Sequence, residues 1–297
     1  MSEETSTDRA EPSGTPYAWD DYVGRRRGLE GAGILAYLTR DQLHPAMLDD
    51  AEMWADGSRW HEGAVEHTRA AARFSRLQPG ERVLDIGCGI GGPARTLVAE
   101  FCASVYSIAN AERMLRSARR LNEADPRFAD GIQLALHDCQ QPYAVSGFDL
   151  AWSMNMIYHV PDKLAMLTCA RDALSPGGRI MVEDWMLTPL ATAEDRNELE
   201  FHFGAGEFAQ VDELVAQLLV ADYDLTAIED LGRVGRTHMP RHFANQMDDH
   251  FRPQLVADHG EEFGNSMVDE FVEAVGATIR MYGERRMTYL RVLATRG

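Results

Sequence analysis

The sequence predicts an α/β fold built on a mainly parallel sheet, and three observations lead to this prediction. A short apolar run at residues 83–86 leads into a turn with four glycines, and the segment after the turn has the composition of a helix. The next hundred residues alternate strand-like and helix-like segments, as βαβ units do. The chain of 297 residues is long enough to bury a large core, as one elaborated domain or two intimate ones.

Composition excludes several classes of partner. The net charge of −18 argues against nucleic acid and against anionic membrane surfaces, both of which need a basic partner surface. No apolar run approaches a membrane span, and no signal peptide precedes the acidic start, so we expect a cytoplasmic protein. The cysteines show no metal-ligand spacing, which favours a reducing compartment and no metal site; they lie at positions 88, 102, 139 and 169.

The glycine-rich turn is the most specific motif of the chain. Gly87, Gly89 and Gly91 follow an apolar strand, and Asp85 lies two residues before the first of them. Glycines at this spacing let the backbone adopt positive φ and let a ligand lie against bare main chain. A carboxylate so close to the turn would repel a pyrophosphate, whereas it suits a cationic amino group.

Residues 85–91, Asp-Ile-Gly-Cys-Gly-Ile-Gly, resemble the first motif of class I S-adenosylmethionine-dependent methyltransferases. Dinucleotide dehydrogenases use Gly-x-Gly-x-x-Gly instead, so a nicotinamide-dependent oxidoreductase is the main alternative. The resemblance implies a Rossmann-like, seven-stranded methyltransferase sheet whose last strand is antiparallel, with helical lid insertions and an N-terminal helical arm. It also implies S-adenosylmethionine as the methyl donor and S-adenosylhomocysteine as the product.

The alternation of segments places the remaining core elements. We expect strands at residues 103–108, 132–136, 148–153 and 179–184, with helices at 111–123 and 164–174 and a turn at 175–178. Open α/β sheets bind ligands at the carboxyl ends of their strands. The ligand-binding residues should therefore follow these strands.

The resemblance implies a set of donor-binding residues at those strand ends. Asp85 would hold the amino group of the donor through the backbone of the motif and a water, although a purely turn-stabilising role is the alternative. Asp138 would accept from the adenine amino group, and the Cys139 amide would reach a ring nitrogen. The usual ribose-binding acid is missing after the second strand, so Asn110 takes that place. The complete expected set is Asp85, Gly87, Cys88, Gly89, Gly91, Asn110, Asp138, Cys139 and Met154.

The loop after the fourth strand suggests the catalytic groups. Residues 152–162 resemble the matching loop of small-molecule methyltransferases, where sugar O-methyltransferases carry a pair of histidines and an acid ends the fifth strand. Tyr158, His159 and Asp184 occupy these positions. His159 is the candidate base near neutral pH, with Asp184 orienting it; a loop-capping histidine is the alternative. Prenyl diphosphate C-methyltransferases carry a Glu where this chain has Asn155, which puts a prenyl diphosphate substrate in doubt.

Aromatic residues outside the core predict a lid over the carboxyl edge of the sheet. Phe243 and Phe271 belong to two sets of apolar residues that recur every four positions, as amphipathic helices require. We expect a minority of the aromatic residues to line a dry pocket for an apolar acceptor. The expected substrate-binding residues are Tyr17, Tyr22, Asn155, Trp185, Phe201 and Phe203.

The expected organisation has seven parts. It consists of a disordered tail at 1–15, an N-terminal helical arm at 16–77, a donor-binding core at 78–185, helical lids at 186–222 and 232–284, and core strands at 223–231 and 285–297. The arm either packs on its own domain, closes over a pocket, or is exchanged with a neighbouring subunit of a homo-oligomer.

The sequence is compatible with three functions. The leading one is methylation of a small, largely apolar secondary metabolite, either at a carbon of a prenyl or terpenoid alkene or at an oxygen or nitrogen of a sugar or aromatic compound. The second is a donor-binding regulator without catalysis, and the third is the nicotinamide-dependent oxidoreductase.

Overall fold

The computed structural model of the chain describes residue 24, residues 26–204 and residues 207–297. The expected disordered tail, the start of the N-terminal arm, and Tyr17 and Tyr22 lie outside the described residues. A homo-oligomer with an exchanged arm therefore stays a prediction.

Seven strands form one sheet in the order β3-β2-β1-β4-β5-β7-β6. Strands β1 to β5 pair in parallel, and β7 pairs antiparallel with both β5 and β6. This confirms the expected Rossmann-like, seven-stranded sheet with an antiparallel last strand. The strands are β1 Arg82–Ile86, β2 Ser104–Ala109, β3 Ile132–Leu136, β4 Phe148–Met154, β5 Leu174–Leu187, β6 Tyr223–Asp230 and β7 Met287–Arg296.

Helices flank the sheet and extend above it. They are α1 Leu35–Leu38, α2 Ala51–Ala55, α3 Trp60–Phe74, α4 Gly92–Phe101, α5 Glu112–Asn122, α6 Pro126–Gly131, α7 Lys163–Ala173, α8 Ala193–Phe203, α9 Val211–Val220, α10 Gly232–Gln246, α11 Arg252–His259 and α12 Glu261–Gly283. Short 3-10 turns lie at Gly57–Arg59 and Ile157–His159, and a π-helical turn, Met247–Phe251, joins α10 to α11.

The fifth strand begins earlier than the sequence predicts. Leu174 pairs with Phe148, whereas the next paired residue of β5, Arg179, lies opposite Leu150. Residues 175–178 therefore bulge out of the ladder, and Gly177 takes a φ of +75°. The turn expected at 175–178 is present, but it lies within the strand, because β5 pairs with β4 both before and after it.

The two faces of the sheet bury separate apolar clusters because side chains alternate along a strand. Leu84 and Ile86 of β1 lie in the cluster beneath α7 and α9. Val83 and Trp152 lie in the opposite cluster, which α3 and α4 cover. By this alternation Asp85 and Trp152, which are paired across β1 and β4, share the second face.

The helix α9 corrects the expected extent of the lid. It falls within the range 186–222, yet its Leu214 and Leu218 are buried in the cluster on the sheet face, beside α7 and β6. Strands β5 and β6 run in the same direction, and the helix that connects two such strands packs back on their sheet. The prediction of a lid was thus wrong for this half of the range.

The largest apolar cluster lies beyond the carboxyl ends of the strands. It joins Trp54 and Trp60 of the N-terminal segment to Phe251 of the π-helical turn and to Phe243 and other residues of α10 to α12. We call residues 26–60 together with α8, α10, α11 and α12 the roof. None of the helices in the described ranges is long and apolar enough to cross a membrane.

Polar contacts hold the two parts of the roof together. Asp49 accepts from His238 Nε2 at 2.8 Å, and the amide N–H of Gly57 donates to Gln246 Oε1 at 2.7 Å. The Tyr37 hydroxyl donates to Asp258 at 2.8 Å. The N-terminal segment and the C-terminal helices therefore form one layer over the sheet.

Candidate functional site

A cavity of about 800 Å³ lies between the carboxyl ends of β1 to β5 and the roof. Its volume is in the upper part of the range of about 300–1,000 Å³ that small-molecule sites occupy. We call its two walls the sheet side and the roof side. The sheet side includes Asp85, Gly87, Gly89, Asn110, Asp138 and Cys139, and the roof side includes Trp54, Trp60, Met239, Phe243, Phe271 and Val275.

The glycine-rich turn has the backbone that its sequence predicts. Gly87, Gly89 and Gly91 have φ values of +80°, +55° and +82°, which side chains disfavour. A Cβ at Gly87 would meet the Met156 side chain at 2.1 Å, and one at Gly89 would meet Leu43 at 2.8 Å. Two flexible apolar side chains thus lie against the main chain that was expected to face a ligand, and both line the cavity.

Gly91 has a different place from the one expected for it. It is the left-handed residue at the start of α4, and its N–H donates to the Cys88 carbonyl at 2.8 Å. It does not line the cavity, whereas Cys88 does. Gly91 therefore shapes the turn, and the other residues of the motif form the wall.

Asp85 is buried at the floor of the cavity, with 3% of its surface exposed. One carboxylate oxygen accepts from the Ser107 hydroxyl at 2.9 Å. Burial raises the pKa of Asp85 to about 7, and the bond from Ser107 opposes this rise only in part. A cation beside Asp85 would offset the cost of ionising it.

The expected ligand residues of β2, β3 and β4 all line the same wall. Asn110, Asp138, Cys139 and Met154 each contact the cavity. Asp138 is exposed, and the backbone N–H and side chain of Gln140 both donate to its Oδ1, which lowers its pKa. No described residue accepts from the Cys139 N–H, so an oxygen of Asp138 and this N–H are available to a ligand.

Asp184 does not orient His159, which corrects the expected catalytic pair. Its side chain is fully buried and accepts from the backbone N–H groups of Met156, Ile157 and Trp185 at 2.7–2.8 Å. Burial raises the pKa of Asp184 to about 7 despite these bonds. Asp184 therefore holds the loop after β4 in place, and it does not line the cavity.

His159 and Tyr158 do reach the cavity. His159 is exposed at the rim, its imidazole makes no hydrogen bond to a described residue, and desolvation lowers its pKa. Tyr158 is buried and packs face to face on Phe208, with ring centroids 5.2 Å apart. A neutral imidazole at the cavity rim can accept a proton, whereas Tyr158 forms part of an apolar wall.

Most of the expected substrate residues lie around the loop and α8. Trp185 and Phe203 line the cavity with ring centroids 5.5 Å apart, and Asn155 lines it with a left-handed φ of +54°. Phe201 does not, because it points outward from α8 with 69% of its surface exposed. The expectation for Phe201 is therefore wrong, whereas Phe203, which belongs to the same expected set, does line the cavity.

Sequence reasoning missed a segment that crosses the glycine-rich turn. Residues 39–46, which we call the strap, run so close to α4 that a Cβ at Gly92 would lie 2.1 Å from the Asp41 carbonyl oxygen. Asp41 pairs with Arg95 at 2.7 Å, and Thr39, Gln42, Leu43 and His44 line the cavity. No periodicity marks this segment, since it is an irregular chain of turns and bends in which Arg40 and Leu43 have left-handed φ values.

A buried group of charges beneath the strap was also missed. Glu183 of β5 pairs with His67 of α3 and with Arg291 of β7, and all three are almost fully buried. Arg291 also donates to Glu229 at 2.7 Å. The contacts with His67 and Arg291 hold the pKa of Glu183 at about 2 against the effect of burial. Only the pairing of distant strands and a helix brings these residues together.

Comparisons with known proteins agree with this site. Residues 84–182 match the family described as "Methyltransferase domain". The chain is 30% identical over 215 residues to 27-O-demethylrifamycin SV methyltransferase of Amycolatopsis mediterranei, which covers 69% of this chain and 75% of that relative. It is 30% identical over 160 residues to 2-methyl-6-phytyl-1,4-hydroquinone methyltransferase of Synechocystis, covering 52% of this chain and 47% of that relative.

Solved structures show the same fold. Phosphoethanolamine N-methyltransferase 2 of Haemonchus contortus, in complex with S-adenosylhomocysteine, superposes with a TM-score of 0.71 at 20% identity, covering 94% of this chain and 60% of that one. Geranyl diphosphate C-methyltransferase of Streptomyces coelicolor gives a TM-score of 0.60 at 16% identity, covering 80% and 85%.

The residues present fit the donor that the family uses. A buried carboxylate lies beside the glycine-rich turn, and an unpaired N–H and a carboxylate end β3, where a cationic amino group and an adenine would need them. The nicotinamide-dependent alternative is not supported, since the matched family and the relatives are methyltransferases. The chain is therefore an enzyme that belongs to the S-adenosylmethionine-dependent small-molecule methyltransferases.

Proposed function

We propose that the enzyme methylates an uncharged, largely apolar small molecule. The observation that supports this is the distribution of charge in the cavity. Among the described residues, the carboxyl and guanidinium groups that line it belong to Asp85, Arg113 and Asp138, and all three are on the sheet side. Burying a phosphate, carboxylate or ammonium on the roof side without a partner would cost several kcal/mol.

The roof side is built to contact apolar surface. Trp60 stacks on Phe243 with ring centroids 5.8 Å apart, and Phe243 contacts Phe271 at the same centroid distance. Met239 and Val275 complete this wall. Large apolar walls with few polar groups bind a ligand by the area that they remove from water, about 25 cal/mol per Å².

An oxygen acceptor with His159 as the base is the first form of the proposal. The bound donor supplies an electrophilic methyl group, and the roof and strap orient the acceptor and exclude water. The imidazole of His159 receives the proton that the acceptor hydroxyl loses as its oxygen bonds to the methyl carbon and the donor leaves as the neutral thioether. The lowered pKa of His159 keeps the imidazole neutral before this step. The relative named for 27-O-demethylrifamycin SV supports an acceptor from natural-product metabolism.

A carbon acceptor is the second form, and the aromatic rings favour it. Methyl transfer to an alkene carbon leaves a carbocation, which aromatic faces stabilise by about 0.5–2 kcal/mol each. Trp54, Trp60, Phe243 and Trp185 all line the cavity. In this form a neutral His159 takes up the proton that the cation loses from a neighbouring carbon.

A matched pair of acceptors tests the proposal. The enzyme, with S-adenosylmethionine, is offered apolar alcohols and the phosphate esters of the same alcohols, and mass spectrometry follows the gain of one methylene. We expect turnover of members of the alcohol series and none of the esters. Turnover of the esters with kcat/KM equal to or above that of the alcohols would contradict an uncharged acceptor. Fragmentation of the product separates oxygen from carbon methylation.

A further inference from the structure

Asn155 has a backbone conformation that fixes the position of its side chain. It directly follows β4, and its φ of +54° lies in the left-handed region that residues with a side chain rarely adopt. Its N–H donates to the carbonyl oxygen of Glu183 at 2.8 Å. The next two N–H groups, of Met156 and Ile157, both donate to Asp184. Such a conformation persists where the surroundings hold it on both sides, and here they keep Asn155 in the wall of the cavity.

The side-chain amide of Asn155 lies in an apolar part of this wall. The same loop and the next strand contribute Met156, Tyr158 and Trp185 to the wall. Oδ1 of Asn155 is buried and has no hydrogen-bond partner among the described residues. A half-turn about the last bond of the side chain exchanges this oxygen with the NH₂ and moves no backbone atom. A ligand that donates to the oxygen therefore removes the cost of leaving a buried acceptor unpaired.

The order of the strands places Asn155 on the part of the cavity edge that the donor leaves free. Asp138, Asn110 and Asp85 belong to the ends of β3, β2 and β1, and they are the expected partners of the adenine, the ribose and the ammonium group. The donor then extends across three adjacent strands, each about 4.8 Å from the next, and its amino-acid end lies toward β4. Asn155 at the end of β4 is one strand beyond Asp85, where the acceptor meets the methyl group.

Counting protons shows that the group that donates to Asn155 is not the group that is methylated. In the oxygen form of the proposed reaction, the reacting hydroxyl has one proton, and His159 receives it. In the carbon form, the reacting alkene carbon carries no N–H or O–H. The oxygen of Asn155 therefore needs a second group on the acceptor in both forms.

We propose that Asn155 selects acceptors that carry a hydroxyl or N–H group near the methylated atom, and that this group donates to the side-chain oxygen of Asn155. The inference rests on the proposed function, because it concerns the same uncharged, largely apolar acceptor. It specifies that acceptor as a diol, an amino alcohol derivative or a hydroxylated alkene. A site that hydrogen-bonds a substrate hydroxyl discriminates against the analogue without it far more strongly than an apolar wall does.

Calorimetry at saturating S-adenosylhomocysteine tests this inference with two matched pairs of probes. The pairs are naphthalene-2,3-diol with 2-naphthol, and decane-1,2-diol with 1-decanol. We expect the unaltered enzyme to bind the diol of at least one pair about tenfold or more tightly than the mono-alcohol. In Asn155→Gly, where glycine adopts the same φ without strain, the affinity for that diol should fall to the affinity for the mono-alcohol. The affinities for the mono-alcohol and for S-adenosylhomocysteine should stay unchanged, and cooperative thermal unfolding shows that the variant is folded.

Phe203→Ala is the matched control, because this ring lines the same cavity without hydrogen bonding, and its removal should weaken diol and mono-alcohol by the same factor. Asn155→Asp at pH 8 keeps an accepting oxygen and should keep the preference for the diol, so it decides the question if Asn155→Gly does not fold. The role of Asn155 would be overturned by the absence of any diol preference, by its survival in Asn155→Gly or by its loss in Asn155→Asp. Weaker binding of S-adenosylhomocysteine by folded Asn155→Gly would also overturn it. Both members of a pair have the same charge, so a failure here is distinct from a failure in the comparison of alcohols with phosphate esters.

Discussion

Replacing Asp85 by Asn should weaken donor binding and raise the free energy of unfolding, and both effects should depend on pH. Asp85 is 3% exposed and accepts one hydrogen bond, from Ser107. Burial raises its pKa from 3.8 to about 7. Asn has a similar shape and its Oδ1 can still accept from Ser107, but it has no proton to lose. The substitution thus removes the cost of ionising a buried carboxyl group.

The size of the effect follows from the pKa values. Between pH 3.8 and about 7 the folded enzyme keeps a proton on Asp85 that the unfolded chain has released. The contribution of the Asp85 carboxyl group to the free energy of unfolding is therefore complete below pH 3.8, and it is lost as the pH rises through about 7. Each pKa unit corresponds to about 1.4 kcal/mol, so about three units give about 4 kcal/mol. The unfolding free energy of Asp85→Asn, relative to that of the unaltered enzyme, should rise by this amount between pH 4 and pH 8.

Urea unfolding of the ligand-free enzyme and the variant at several pH values measures this difference. All other titratable groups are the same in both proteins, so their contributions to the pH dependence cancel in the difference between the two unfolding free energies. The control is Asp138→Asn, because Asp138 is exposed and its pKa is lowered. The difference in unfolding free energy between this variant and the unaltered enzyme should stay constant between pH 5 and pH 8. A flat difference for Asp85→Asn would refute the reasoning. The affinity for S-adenosylhomocysteine should rise from pH 5 to pH 8 in the unaltered enzyme only, since the donor's ammonium favours the ionised carboxylate.

Three further predictions concern the cavity walls. Asp138→Ala should weaken the binding of S-adenosylhomocysteine, measured by calorimetry, by about 1–3 kcal/mol, because one hydrogen bond to a charged group is lost. Unchanged affinity would mean that the adenine lies elsewhere. His159→Ala should lower kcat far more than it lowers donor affinity, and the unaltered enzyme should stay active below pH 6.5 because the pKa of His159 is lowered; equal losses in kcat and affinity would remove His159 as the base. Phe203→Ala should raise the KM for the acceptor, whereas Phe201→Ala should leave it unchanged because Phe201 is 69% exposed; equal effects of the two variants would place the acceptor away from Trp185 and α8.

Local patterns predicted the sheet because each of its strands is a separate apolar segment. Strand β3 was predicted at 132–136 and is observed there, and β1, β2 and β4 differ by a residue or so at their ends. The glycine-rich turn is equally local, since three residues with positive φ mark it. The sheet side of the cavity follows from the strands and this turn, because the carboxyl ends of parallel strands meet at one edge of the sheet.

Asp184 shows what a linear motif leaves undetermined. Asp184 lies in the fifth strand as expected, although β5 continues beyond it to Leu187. Its carboxylate accepts from the backbone N–H groups of Met156 and Ile157 and does not contact His159. A loop that folds back over a strand end exposes backbone donors that need a partner, and the nearest buried acceptor satisfies them. The sequence contains no signal for that choice, since either orientation uses the same residues.

The strap and the helix α9 illustrate a second limit. The strap could not be predicted from the sequence, because its shape depends on contacts with α3 and α4, such as the ion pair of Asp41 with Arg95. The helix α9 was visible as a helix, but its apolar Leu214 and Leu218 fit a lid as well as a sheet face. Only the direction of β6 relative to β5 decides between these, and that direction is a property of the whole sheet.

The two walls of the cavity come from different parts of the chain, and this separates the parts of the molecule that evolution can alter independently. Asp85 and the glycine-rich turn lie within residues 84–182, the third of the chain that matches the methyltransferase family, whereas Trp54, Trp60 and Phe243 lie outside it. Under the proposed function, changes confined to Trp54, Trp60 and Phe243 would alter which molecule receives the methyl group and leave the sheet side of the cavity as it is. The proposed function thus expects acceptor choice to change through residues outside 84–182 while the matched region stays the same.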